Sequence, residues 1–168
     1  MFEQFGGFDE SRHALEDIEF GYRLHQAGHR ILLDKDLQFT HLKNYSFTRL
    51  IASDFFNRAI PWTRLMLEKS IFRSDLNTKS NNVLSVGVAF LILGAPLLVW
   101  AYPFGVWIVA ASVGLFVALN WDFFRFIWQS RGTIFLLKAI PMHWFYYIYG
   151  GIGVIIGSLI FLWDQHGH

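Results

Sequence analysis

Residues 80–121 read SNNVLSVGVAFLILGAPLLVWAYPFGVWIVAASVGLFVALNW, and in these 42 residues there is no Asp, Glu, Lys, Arg or His. One helix crossing a membrane needs roughly 20 residues, so the stretch has room for two. Pro103, within Tyr102-Pro103-Phe104, is the natural break, because proline has no amide hydrogen to donate and its ring blocks the preceding turn. This predicts spans near 83–101 and 104–121. Further along, Ala139–Trp163 has His143 as its only residue among Asp, Glu, Lys, Arg and His, and a glycine-rich middle, YYIYGGIGVIIGSLIFLW. It predicts a third span near 142–163. The alternative, three buried helices in a water-soluble globule, asks a 168-residue chain to enclose more apolar surface than its size allows.

Composition agrees with that frame. The chain is 54% hydrophobic and only 16% charged, which is too apolar for an ordinary soluble domain. A formal net charge of +1 offers no electrostatic footprint for nucleic acid. There is no cysteine, so disulfides, thiolate metal sites and cysteine nucleophiles are excluded. The first ten residues, MFEQFGGFDE, lack the basic and then apolar pattern of a cleaved signal.

Lys69, Arg73 and Lys79 precede the first span, Arg125, Arg131 and Lys138 follow the second, and the turn at Pro103 has no basic residue. Under the positive-inside rule this predicts a multi-pass protein of the plasma membrane, with residues 1–80 cytosolic and the C-terminus outside. Residues 122–138, which include FFRFIWQSRGTIFLLK, are too basic for a span and read as an interfacial or re-entrant segment. Upstream, Phe47, Leu50, Ile51, Phe55, Ala59, Trp62, Leu65 and Met66 recur at helical spacing among Arg49, Arg58 and Arg64. That pattern predicts an amphipathic helix on a membrane surface, contacting lipid and interrupted at Pro61. The resulting divisions are 1–45, 46–80 for the interfacial helix and linker, and 81–168 for the membrane region.

Residues 1–45 differ in kind. Gly6-Gly7 predicts a tight loop, LEDIEF (15–20) starts a helix, and Gly28 ends it as a left-handed cap. Three carboxylates, Glu16, Asp17 and Glu19, at a helix start are favoured by the helix dipole, and this is their plainest explanation. HRILL (29–33) and LQFTHL (37–42) are short β-prone runs joined at Asp34-Lys35-Asp36, which predicts a strand pair.

The series GGFDE, EDIEFGYRLHQAGHRILL and LQFTHLK, followed by an amphipathic helix and apolar spans, resembles the C-terminal part of membrane-bound family 2 glycosyltransferases of the inverting, GT-A type. RAIPWTRL and KAIPMHWFYYIYGGIG also look like that family's interface and membrane segments. The resemblance implies an α/β remnant of a GT-A domain over 1–45, joined to an α-helical transmembrane domain of about three spans. It also implies transfer of a sugar from a nucleotide-sugar donor to a membrane-associated or polysaccharide acceptor.

On the same resemblance, Asp17 of the Glu16-Asp17 pair is the general base, and Gly6, Gly7 and Phe8 form the loop against which a sugar rests. His41 falls where some such enzymes complete a site for divalent Mg or Mn on the diphosphate. Asp34-Lys35-Asp36 spells the family's D-x-D but follows the Glu-Asp pair instead of preceding it, and is read as a turn. The Asn44-Tyr45-Ser46 sequon is fortuitous on a cytosolic segment. The nucleotide-binding half is missing, so the nucleotide-sugar donor is expected to come through that half or a partner chain, as in a fragment or a split subunit. The competing expectation is a non-catalytic three-span anchor that recruits a protein or lipid. A small transporter is weaker still, because the two best spans have no charged residue.

Overall fold

In a computed structural model the described residues are 2–32, 34–40, 42–69 and 80–166, and all of their regular structure is helical. The helices are α1 (Glu16–Gln26), α2 (Phe47–Asp54), α3 (Ile60–Glu68), α4 (Ser80–Leu93), α5 (Ala95–Ala101), α6 (Gly105–Leu119) and α7 (Trp121–His166). No strand occurs among the described residues. This corrects the α/β remnant of a GT-A domain expected over 1–45. HRILL and LQFTHL, as far as they are described, run without regular structure, and Leu32, Leu37, Phe39 and Leu42 are exposed. A β-prone run becomes a strand only when a neighbouring strand pairs with its backbone, and among the described residues there is none. Asp34-Lys35-Asp36 is the expected turn, with the Asp36 amide donating to Asp34 Oδ1 at 2.9 Å.

The chain divides into two compact units, residues 1–71 with 153–168, and residues 72–152. In the first unit, α1 ends as Gly28 predicts. Gly28 has φ 84°, its amide donates to the His25 carbonyl and the His29 amide donates to the Leu24 carbonyl, which together satisfy the last turn. Ser46 caps α2 by accepting from the Arg49 amide at 3.4 Å. Between α2 and α3 the helix widens into a π turn over Phe55–Ala59. Pro61 lacks the amide hydrogen for an i→i−4 bond and would crowd the Asn57 carbonyl, so a wider turn just ahead of it relieves both problems.

The end of α7 lies along this helix pair. Gly153 and Gly157 sit so close to α3 and the π turn that a Cβ at Gly153 would lie 2.5 Å from the Ala59 Cβ. One at Gly157 would lie 2.9 Å from the Ile60 carbonyl oxygen. Glycines four apart let two helix backbones approach in this way. Leu65 and Trp62 are buried in this unit, and Arg64 meets Asp164 at 2.8 Å. That ion pair is at odds with a C-terminus on the opposite membrane face from residues 1–80.

In the second unit, α6 packs on both α4 and α5. The first expected span is bent by 55° between α4 and α5, at Gly94 just before Pro96, a break the reading of Pro103 did not include. Gly105 starts α6 against the backbone of Leu98 and Val99, where no side chain fits. Ala89, Phe116, Phe124, Tyr147 and Ile148 form the core. Asn120 lies at its polar centre. Its amide nitrogen donates to Ser85 Oγ and to the Phe116 carbonyl, both at 2.9 Å, and its Oδ1 faces His143 Nε2 and Tyr147 Oη, both at 2.8 Å. The carbonyl of Phe116 can only accept, which fixes the orientation of the Asn120 amide. His143 Nε2 must therefore carry the proton.

Helix α7 is long and apolar enough to cross a membrane, as are α4 and α5 if the bent pair counts as one span. With 15 residues, α6 rises only about 22 Å. Helix α7 is not one regular rod, because Gly132 interrupts it at φ 78° and ψ 179°.

Candidate functional site

The three carboxylates of LEDIEF separate into two kinds. Glu16 and Asp17 are exposed and make no ion pair among the described residues, and Asp17 Oδ1 accepts from the Ile18 amide at 2.8 Å. Glu19 is 3% exposed and meets Arg23 Nε at 2.8 Å and Lys69 Nζ at 3.3 Å. Successive helical residues turn by about 100°, so residues 17 and 19 point some 200° apart. Burying Glu19 against two cations thus turns Asp17 outward. The helix begins at Leu15 in the left-handed region, φ 64°, which is uncommon for a branched side chain and reverses the chain sharply just before the acids.

Arg23 brings the two parts of the predicted site together. One terminal nitrogen donates to the Phe5 carbonyl and the other to the Gly7 carbonyl at 2.5 Å. The guanidinium also stands over the Phe20 ring, 5.2 Å from its centre. Gly6 and Gly7 both have positive φ, 76° and 63°, and a Cβ on Gly7 would lie 3.2 Å from the Phe2 ring. Both glycines are therefore favoured by conformation, and Gly7 by contact as well. Phe8 packs edge-on against Phe2 and Phe20, with centroids 5.1 and 5.5 Å away, and remains half exposed. The structure thus places Gly6, Gly7 and Phe8 against the helix that starts at Glu16 and Asp17.

Asp9 closes the loop. It accepts from the Ser11 hydroxyl at 2.6 Å and from the Ser11 amide at 3.1 Å, and these bonds hold its carboxyl below the usual range. Arg12 joins Asp9 to Glu68 of α3, with contacts of 3.2 and 2.6 Å. Neither this link nor that of Lys69 was read from the sequence. Partners fifty or more residues apart leave no local pattern, whereas Glu19 and Arg23, four apart on one helix, do.

The metal expectation rests on His41, which lies outside the described residues. Among those described, no group of three or more His, Asp or Glu side chains converges to hold an ion. Compared with protein-family models, curated proteins and solved structures, the chain matches none of them.

Proposed function

We propose that the chain is the acceptor-side, membrane-associated part of an inverting nucleotide-sugar transferase of family 2. Asp17 serves as general base, with Glu16 beside it. In the step envisaged, the acceptor hydroxyl gives its proton to the Asp17 carboxylate as its oxygen attacks the anomeric carbon, and the bond from that carbon to the diphosphate oxygen breaks. The nucleoside diphosphate leaves from the opposite side. A carboxylate for this work must reach the hydroxyl within hydrogen-bond distance and be free of a neutralising partner.

One observation carries the reading. Arg23 ties the Gly6-Gly7-Phe8 loop to the helix whose first turn presents Asp17, exposed and without a cation among the described residues, while the neighbouring Glu19 is buried and neutralised. A simple helix cap needs the carboxylates but not the loop. The nucleotide-sugar donor comes through a further half or a partner chain, and a divalent Mg or Mn with His41 belongs to the same proposal. The membrane is reached through α7 and the α4–α5 pair, in the plasma membrane, with residues 1–69 on the cytosolic face.

The test is sugar transfer in nanodiscs with Mg²⁺ or Mn²⁺, for the chain alone and with the donor-binding half of a family 2 transferase, comparing Asp17→Asn. Transfer by the pair that falls by about a hundredfold or more in Asp17→Asn supports the proposal. Two halves that associate yet transfer nothing from a panel of donors would support the non-catalytic anchor, with the acidic run as a helix cap.

A further inference from the structure

Lys69, the residue after α3, touches Glu19 Oε1, and Glu19 Oε2 receives Arg23 Nε. Arg23 then holds the carbonyls of Phe5 and Gly7 on either side of Gly6. These contacts form a continuous path from the end of α3 to the glycine loop. A guanidinium is a planar fork with fixed donors, so a single plane sets both carbonyls relative to α1. An ammonium would keep the charge but not the geometry. Adjacent to Lys69, Glu68 makes a second tie through Arg12 to Asp9, on the other side of the loop. Two consecutive residues of one helix end thus hold both sides of the segment that leads into the helix bearing Asp17.

We propose that Glu19 and Arg23 are positioning residues for the transfer described above, on which this inference rests. In the same arrangement, Lys69 makes the geometry of the Gly6-Gly7-Phe8 loop depend on how α3 is seated. The burial of Glu19 serves two ends at once, turning Asp17 outward and anchoring the fork that shapes the loop. A plain staple between segments would accept any cation at position 23 and would leave the loop indifferent to position 69.

Hydrogen exchange of the full chain in nanodiscs tests the loop directly. The Gly6 and Gly7 amides donate to the carbonyls of Glu3 and Phe2, each at 3.0 Å, so they report whether the loop is held. Arg23→Lys and Glu19→Gln are expected to speed their exchange by about tenfold and Lys69→Met by about threefold, with Lys69→Arg restoring protection. Amides in the middle of α1 serve as the control that the helix remains folded. In transfer by the reconstituted pair, Arg23→Lys should lower kcat by about tenfold or more with donor KM unchanged, the mark of misplaced reacting groups. Loop exchange unmoved by Arg23→Lys, with α1 intact, overturns the positioning role. A fall in KM-dependent binding alone, with kcat kept, does the same. A wild-type pair that transfers nothing defeats the transferase reading instead, and the loop exchange then tells whether the path from Lys69 exists without it.

Discussion

The two units are held together by different chemistry. In residues 1–71 with 153–168, distant segments are joined by ion pairs: Arg12 with Glu68, Lys69 with Glu19, Arg64 with Asp164. Among the described residues of 72–152, the polar contacts between helices involve neutral groups, centred on Asn120 with Ser85, His143 and Tyr147. Where water reaches, charges are cheap to keep and give directional ties of modest strength. Where it does not, an unpaired charge is far costlier than an amide, and a neutral network has to be complete to be tolerated. Asn120 meets that condition, with both amide hydrogens donated and its oxygen receiving two contacts.

The contrast can be broken most sharply at Asn120. Asn120→Leu removes the partner shared by Ser85, His143 and Tyr147, although Tyr147 keeps Asn82 at 3.1 Å, and should cost about 3 kcal/mol, seen as a lower unfolding midpoint in detergent by tryptophan fluorescence. A loss near zero would mean that the neutral network is incidental to the second unit. Next comes Gly157→Leu, which forces a side chain against Ile60 and Thr63 and should cost about 2 kcal/mol by the same measurement. If it proved neutral, α7 would not pack on α3 as closely as described. Salt separates the units directly. Raising NaCl from 0.05 to about 0.5 M should weaken the Arg64 with Asp164 tie by about 0.5 kcal/mol and leave the Asn120 network unchanged. A double-mutant cycle on each pair at both salt concentrations measures this.

The smallest expected effect is acidic. The carboxyl of Asp9 is lowered from 3.8 by its bonds from Ser11, so its contribution is complete above that value and disappears as pH falls through the lower folded one. Exchange at Arg12, whose amide donates to the Asp9 carbonyl at 3.1 Å, should quicken only in that acid range. Asp9→Asn should abolish the step.

What could be read in advance follows from range along the chain. The cap at Gly28, the pairing of Glu19 with Arg23 and the turn at Tyr102-Pro103 depend on residues within four or five positions, and each was legible. The β-prone runs after Gly28 misled because side-chain preference describes what a strand would like, whereas its existence depends on a neighbouring strand. His143 stood out as the lone His or charged residue of its stretch, but Asn120, Ser85 and Tyr147 carry no charge to mark them, and Ser85 comes from another helix and Asn120 from the turn after α6. The Gly153 and Gly157 pair was visible as glycine richness without its partner, because Ala59 and Thr63 lie nearly a hundred residues upstream. For the candidate site, residue types were legible and the tie between loop and helix was not, since Arg23 reaches the loop through main-chain carbonyls that any sequence possesses.

The backbone of Gly132 occupies a region of conformational space open essentially to glycine alone. Without that interruption, the 46 residues of α7 would form a straight rod of about 69 Å, more than twice the roughly 30 Å hydrocarbon thickness of a bilayer. Such a rod would have to tilt steeply or push its basic first third, with Arg125 and Arg131, into the acyl chains. The break at Gly132 instead sets the basic first segment of α7 apart from the residues after it, which rise about 51 Å by themselves.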